Sequence, residues 1–293
     1  ELLGVCSGLY GRISLTEMNW SIENSYPGIE IKNNYLFVDK NVPEGYEIII
    51  NGTSITLQKL LSLTRQAIDT YGMIEENDKI AVGISGGKDS LTLLYALSHL
   101  RRFYSRKFDV VAVTVDLGFN NLDLEEIREF CKKLDVEYHI IKTQIAEIVF
   151  QVREESNPCS LCAKMRKGAL NDAVKELGCN KVAYAHHKDD LLESMMMSFL
   201  FEGRIHTFAP VTYLDRSKLT VIRPLLFLYE GDVKGFVKEY QLPVVKSPCP
   251  VDGSTKREDM KNLIKEINYK YPGSKTRMLH AIFNDVVNPP QGL

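Results

Sequence analysis

The 293-residue sequence contains no apolar run near the roughly 20 residues that a membrane span requires, and no repeat period or low-complexity tract. Those absences exclude a membrane-spanning helix and a solenoid. Cysteine is scarce: Cys6, Cys131, Cys159, Cys162, Cys179 and Cys249 are too few and too irregularly spaced for a disulfide framework in a chain this long. Metal or redox chemistry is the use that remains for them. Charge of one sign is also lacking, since a net charge of -2 argues against a generally basic nucleic-acid coat. No charged, apolar, small-residue leader opens the chain, and Glu1 in place of Met points to a fragment or processed chain. The expected compartment is the cytoplasm.

With 44% hydrophobic and 25% charged residues, the composition is that of an ordinary globular protein. The length allows one large α/β domain and an appended piece. Its charge is unevenly placed. From Ser254 onward Lys256, Arg257, Lys261, Lys265, Lys270, Lys275 and Arg277 outnumber Glu258, Asp259, Glu266 and Asp285, whereas the stretch before Lys59 is acidic. The basic run reads either as a solvated helical face or as a surface for nucleic-acid phosphates.

Residues 1–58 carry β signals. Ile29 and Ile31 alternate toward Tyr35 and Phe37 across Asn33-Asn34, and Ile48 to Ile50 face Ile55 and Leu57 across Asn51-Gly52. Asn-Gly accepts positive φ at both turn positions, so a hairpin is expected there. A packing module, or a contact between copies in a homodimer, suits this segment better than a chemical role. A helix is expected over Leu57 to Tyr71, ended by Gly72. Short apolar runs then alternate with amphipathic stretches: Ile80 to Ile84 before Leu91 to Leu100, Val110 to Val115 before Leu124 to Leu134, Tyr138 to Ile141 before Ile145 to Val152, and Val182 to Ala185 before Leu191 to Phe201. Such alternation predicts an α/β domain over 59–246, a parallel sheet with helices on both faces and ligands outside the carboxyl ends of its strands. Residues 247–293 form a third part, a cysteine loop and a basic helical segment.

The run Ser85-Gly86-Gly87-Lys88-Asp89-Ser90 follows the first of these strands and opens a helix. Two glycines permit a tight turn with exposed N–H groups, and the helix N-terminus adds orphan donors for an anion. Lys88 is followed by Asp89, so the pattern of the common P-loop fails and a different phosphate cradle is expected. The run resembles the signature of the PP-loop ATP pyrophosphatases, which cleave ATP between the α and β phosphates and pass AMP to a carbonyl-type oxygen. That resemblance implies an adenine nucleotide α-hydrolase-like fold, ATP phosphates held by Ser85, Gly86, Gly87, Lys88, Asp89 and Ser90, and Mg²⁺. It also makes Val115 and Asp116, at the end of the second strand, candidates for nucleoside contact. Without it, Asp116 reads equally well as a turn residue.

Pro158-Cys159-Ser160-Leu161-Cys162 places two thiols one turn apart at an expected helix start, where the dipole would lower their pKa. A lone pair of this spacing fits zinc, redox or cluster chemistry. Cys249 stands between Pro248 and Pro250, outside any helix interior. Three thiolates suit an iron–sulfur cluster with one open iron, whereas closed structural zinc wants a fourth ligand. Cys131 and Cys179 read as small buried hydrophobes. A phosphate loop followed by this cysteine pair and a single later cysteine resembles the tRNA 2-thiocytidine synthetase group of thiolation enzymes. The likeness runs from about Lys59 to at least Arg257, through the stretches Cys159 to Gly168, Ala185-His186-His187-Lys188-Asp189-Asp190-Leu191-Leu192-Glu193 and Ile222-Arg223-Pro224-Leu225 and the loop at Cys249. It implies a [4Fe-4S] cluster on Cys159, Cys162 and Cys249, tRNA as substrate, and sulfide or a persulfide as donor. The β-rich front departs from the family's pattern. Paired zinc-finger cysteines, usual in relatives that act on uridine, are missing, which favours the thiocytidine branch.

His186, Asp189 and Asp190 follow a short strand and precede a helix. The resemblance implies a part in holding ATP and in acid–base chemistry, while a plain reading makes either aspartate a helix cap stabilising by about 1 kcal/mol. Arg166 falls one helical turn beyond Cys162, on the same face, and is a candidate for phosphate charge; the alternative is a surface ion pair of little worth. The expected reaction is ATP-dependent tRNA thiolation at a pyrimidine carbonyl, cytidine C2 first, with Lys88, Asp89, Arg166, Asp189 and Asp190 as catalytic candidates. The competitors are a ligase of the lysidine-synthetase type, which attaches an amine, and a nucleotide-regulated iron–sulfur or zinc binding module without turnover.

Overall fold

The computed structural model describes residues 2–5, 11–14, 19–22, 29–32, 35–41, 47–53, 56–119, 123–152, 158–245, 248–249 and 256–288. The chain opens with strands β1 (Leu2–Val5), β2 (Gly11–Ser14), β3 (Asn19–Ile22), β4 (Ile29–Lys32), β5 (Tyr35–Val38) and β6 (Glu47–Thr53). They form two antiparallel three-stranded sheets, in the orders β1-β6-β3 and β2-β5-β4. The expected β4–β5 hairpin is present, with Lys32 opposite Tyr35; its Asn33-Asn34 turn lies outside the described residues. The second hairpin is not. β6 runs straight through Asn51-Gly52, because β3 pairs with this stretch, Ser21 with Asn51 and Trp20 with Gly52, while β1 pairs with the preceding Glu47 to Ile50. Local turn preference yields to that ladder. Ile55 and Cys6 are also outside the described residues.

The larger unit comprises α1 (Leu57–Thr70), β7 (Asp78–Gly83), α2 (Lys88–Leu100), β8 (Phe108–Asp116), α3 (Glu125–Lys133), β9 (Glu137–Lys142), α4 (Ile145–Glu147, continued by a π-helical turn Ile148–Val152), α5 (Pro158–Glu176), β10 (Lys181–Ala183), α6 (Lys188–Met197, continued by a π-helical turn Ser198–Glu202), β11 (Val211–Leu214), β12 (Leu219–Ile222), α7 (Glu230–Glu239), α8 (Lys256–Lys270) and α9 (Ser274–Ala281). Its sheet has the order β11-β12-β10-β7-β8-β9, parallel throughout except for the edge strand β11. The period of two in the strands explains why helices cover both faces. Ile80, Val82, Val110 and Ala112 pack with Leu60, Leu93 and Leu97 on one side. Ala81, Val111 and Val113 pack with Leu170 and Val174 of α5 on the other. Each fully buried leucine contributes about 1.5–3 kcal/mol from lost water contact.

α1 is capped by the Thr56 hydroxyl, which accepts from Lys59 N at 3.2 Å, and closes where Gly72 takes φ +56°. A third cluster joins Leu191 and Leu192 of α6 to Ile264, Leu279 and Ile282, so the basic C-terminal segment is packed against the sheet unit. Met195 and Met196 pad that cluster, as expected of methionine in a core. Cys131 and Cys179 are buried among apolar side chains. Among the described residues no helix is long and apolar enough to cross a membrane.

Strand order reverses between β7 and β10, whose following loops therefore diverge and leave a crevice at their carboxyl ends. The loop after β7 carries Ser85 to Gly87 and leads into Lys88 and Asp89 at the start of α2, and the loop after β10 carries Tyr184 to His187.

Candidate active site

Ser85-Gly86-Gly87 is a compact turn made possible by Gly86 at φ +80°. The Ser85 and Ser90 hydroxyls lie 3.2 Å apart, Ser85 N donates to Ser90 Oγ at 3.2 Å, and Ser90 Oγ donates to Gly87 O at 3.0 Å. Gly87 is the N-cap of α2 and offers no side-chain cap, so the helix presents uncapped N–H groups to an anion. Lys88 Nζ donates to Asp89 Oδ2 at 2.9 Å and lies 3.3 Å from Glu230 Oε1. These carboxylates outweigh burial, and the Lys88 pKa is raised. Glu230 in turn meets Lys261 at 2.9 Å and Lys234 at 3.2 Å; burial opposes its charge, but these lysines and Lys88 hold it down at about 2.

A cavity of about 450 Å³ opens at the crevice. It is lined by Ser85, Asp89, Ser90 and Val115. Ala163, Arg166 and Lys167 of α5 also line it, with His186 from the β10–α6 connection, Asp190 of α6, and Val245 and Pro248 from the segment that leads to Cys249. That segment is tied to the phosphate turn itself: Val245 N donates to Gly86 O at 2.9 Å. Gly86, Gly87, Lys88, Asp116, Asp189 and the three cysteines stand outside these walls. Asp116 accepts from Gly118 N at 2.9 Å, the turn role that its place in the sequence also allowed.

Cys159 and Cys162 are the second and fifth residues of α5, one turn apart at the helix start, as their spacing predicts. Cys162 is influenced electrostatically by both Cys159 and Cys249, which puts the third thiol on the same side of the fold as the pair. The expected lowering of its pKa does not occur. Burial pushes the Cys162 thiol up and the neighbouring thiols add to this, while Arg166, one turn along the same face, pulls it down. Among the described residues no three His, Cys, Asp or Glu side chains converge as ligands of one metal ion. A four-iron cluster, however, spreads its thiolates over separate corners, further apart than ligands of a single ion. A donor set of three neighbouring thiols beside a cation fits a cluster better than zinc. Ser247 and Pro250, which flank this loop, lie outside the described residues.

Asp190 is the third residue of α6 and reaches back to His187 N at 2.9 Å; it also meets Arg257 Nη1 at 3.0 Å. It is a reciprocal cap, not the N-cap itself. Asp189 accepts from Glu230 N at 2.7 Å and pairs with Lys275; burial opposes its charge, but Lys275 outweighs that and its pKa falls. Behind them Glu193 is buried, and burial together with Asp190 pushes it up to about 7. Arg257 lies 3.6 Å from Glu193 without offsetting this, being 43% exposed and shared with Asp190. Asp89 Oδ1 is buried without a hydrogen-bond partner, 3.6 Å from His187 Nε2. An orphaned carboxylate oxygen on a chamber wall is a fitting donor for Mg²⁺. The basic C-terminal run is therefore divided: Arg257, Lys261 and Lys275 turn inward onto carboxylates. Glu193, Arg223 and Glu230 were not singled out from sequence. Glu193 and Arg223 stood only as members of the Ala185 to Glu193 and Ile222 to Leu225 runs, and Glu230 gave no signal.

A strand, a glycine turn and an uncapped helix around a nucleotide-sized crevice define a PP-loop protein, and the family model described as the PP-loop domain matches residues 55–267. A tRNA-cytidine(32) 2-sulfurtransferase from Pelobacter propionicus is 38% identical over 230 residues, 78% of this chain and 86% of that protein. One from Geotalea daltonii is 39% identical over 222 residues, 75% of this chain and 88% of its own length. The chain belongs to the family of these tRNA-cytidine(32) 2-sulfurtransferases. Among solved structures, the U34-tRNA thiolase NcsA from Methanococcus maripaludis with its [4Fe-4S] cluster shares the fold, with a TM-score of 0.63 and 23% identity over 83% of this chain and 84% of that one.

Proposed function

We propose that the protein adenylates a pyrimidine carbonyl of tRNA with ATP and replaces its oxygen with sulfur, at C2 of a cytidine in the anticodon loop. The carbonyl oxygen attacks the α-phosphorus and pyrophosphate leaves; sulfur then adds at the carbon and AMP departs with the oxygen. The observation that carries this reading is the shared chamber: the phosphate turn, the cysteine helix and the Cys249 segment bound one space.

Ser85, Gly86, Gly87 and Ser90 receive the phosphates on the α2 N-terminus, their internal hydrogen bonds exchanged for bonds to the anion. Lys88 is kept charged beside them and exchanges one carboxylate contact for phosphate. Asp89, whose Oδ1 has no hydrogen-bond partner, would hold Mg²⁺, which would offset part of the phosphate charge. Val115 and His186 wall the nucleotide, and Asp116 shapes the turn behind it. Arg166, on the chamber wall beside Cys162, stabilises charge that grows on the α-phosphate. Of the two aspartates, Asp190 is the one on the wall and moves the proton; Asp189 positions it from behind. Cys159, Cys162 and Cys249 would hold a [4Fe-4S] cluster, and the chemistry it would supply when bound is the presentation of sulfide to the activated carbon. The reaction belongs with the tRNA pool of the cytoplasm.

The test is product analysis with anaerobically purified protein. AMP and pyrophosphate should appear only with tRNA, and mass spectrometry of the nucleosides should reveal one gaining sulfur in place of oxygen. Full activity from colourless, iron-free protein supplied with an amine would establish the ligase reading instead.

A further inference from the structure

His186 sits on the chamber wall, its ring centroid 4.7 Å from that of Phe208 and 5.8 Å from that of Tyr184. Arg223, directly after β12, is only 8% exposed, and among the described residues no carboxylate pairs with it. Its Nη1 donates to Ala209 O at 2.6 Å and to Thr212 Oγ1 at 3.2 Å, and its guanidinium carbon lies 4.9 Å from the Phe208 ring centroid. A buried cation with no counter-ion is costly, and burial lowers the Arg223 pKa to about 10, still well above neutrality. Packing alone does not account for an arginine here.

The remaining contact does. Arg223 Nε donates to His186 Nδ1 at 3.0 Å. A guanidinium nitrogen only donates, so Nδ1 carries no hydrogen and the imidazole proton is on Nε2. Among the described residues Nε2 has no protein partner. The ring is neutral near pH 7: burial lowers its pKa to about 4, Asp190 favours the proton, and Arg223, Arg257 and His187 oppose it.

We propose that Arg223 is a positioning residue that locks His186 in the Nε2–H tautomer, giving the chamber a neutral donor for an oxygen that gains negative charge during adenylation. This role rests on the chamber being the site of that reaction. A neutral imidazole forms no ion pair with bound phosphates in the ground state, yet strengthens its hydrogen bond as charge develops.

Nitrogen-15 spectra of histidine-labelled full-length protein at pH 7 test the tautomer, with His186 assigned by its loss in His186→Gln. The expected spectrum has Nδ1 bare and Nε2 protonated; an Nδ1–H ring or an imidazolium overturns the inference. In Arg223→Met the two tautomers should mix, and an unchanged spectrum also overturns it. If that variant fails to fold, the wild-type spectrum and the histidine variants decide. His186→Gln keeps an N–H near the Nε2 position and should retain tRNA-dependent AMP formation within about tenfold, whereas His186→Leu should lose roughly 10²-fold in kcat with little change in KM for ATP. Equal losses in the two variants overturn the donor role. No tRNA-dependent AMP from folded wild-type protein overturns the thiolation reading and with it the donor's task, while the spectrum still decides the tautomer.

Discussion

The backbone N–H of Val245 donates to the carbonyl of Gly86 at 2.9 Å. Residues 159 positions apart in the sequence are thus joined, and the turn proposed to receive phosphate is fixed to the segment that leads to Cys249. Gly86→Ala strains this junction twice: φ is +80°, and the added Cβ would stand 3.3 Å from Val245 Cβ. The expected cost is about 1–2 kcal/mol from the backbone alone, together with weaker ATP binding. Gly72→Ala, at φ +56° with nothing within 4 Å, should lose stability without losing ATP affinity. Chemical denaturation and calorimetric ATP titration of both variants check this, and unaltered ATP affinity in Gly86→Ala would contradict the role of the turn.

Glu230 is held at about 2 against an ordinary 4.5 by its lysines. A lowered carboxylate pKa stabilises the fold above the unfolded value, and that gain is lost as pH falls from 4.5 through about 2. Glu230→Gln should therefore be less stable than wild type at pH 7, by up to about 3 kcal/mol, with the gap narrowing as the medium is acidified. Urea denaturation at several pH values measures it.

Glu193 behaves in the opposite sense. Its folded pKa of about 7 exceeds the ordinary 4.5, so the native state binds the extra proton and stability falls as pH rises through that window. Glu193→Gln should match wild type near pH 4 and exceed it at pH 8 by up to about 3 kcal/mol. A variant less stable than wild type at pH 8 would show that the Arg257 contact outweighs burial.

Cysteine substitution separates the trio from the other described thiols. Cys159→Ser, Cys162→Ser or Cys249→Ser should lower iron and acid-labile sulfide in anaerobically purified protein. Cys131, whose thiol burial pushes up to about 12, stays protonated, and Cys131→Ser should keep full iron while losing about 1 kcal/mol for a buried hydroxyl. Iron retained in Cys249→Ser would place the cluster elsewhere.

The divided C-terminal charges predict two phenotypes. Lys265 meets Asn262 at 3.4 Å, and Lys270 lies 5.6 Å from the Tyr271 ring centroid, so neither is committed to a carboxylate by these interactions. Replacing either by alanine should weaken tRNA binding and reduce its salt slope by about one, the release of a single counterion from one phosphate. Lys261→Ala and Lys275→Ala, which take a cation away from Glu230 and Asp189, should instead lower the thermal midpoint. Filter binding across a salt series and melting curves distinguish the two groups.

Much of this protein is legible along the chain because the information is local. Alternating apolar residues at Ile80 to Ile84 dictate a strand, the paired glycines a turn, and Cys159 and Cys162 one helical face, since each depends on neighbours within a few residues. The same locality misled at Asn51-Gly52, where β3, distant in sequence, paired with a turn-prone stretch and kept it extended. The carboxylates and cations around Asp190 were invisible for a related reason: a charge declares its type in sequence but not its counter-ion. Only the packing of α6 against α8 and α9 brings Arg257 and Lys275 to Asp190 and Asp189, and only the crevice beside β7 brings Glu230 to Lys88. Residue types and their periods set the elements and the chemistry available; burial and distance, which exist only once the chain is folded, decide which charges are spent on each other and which remain for substrate.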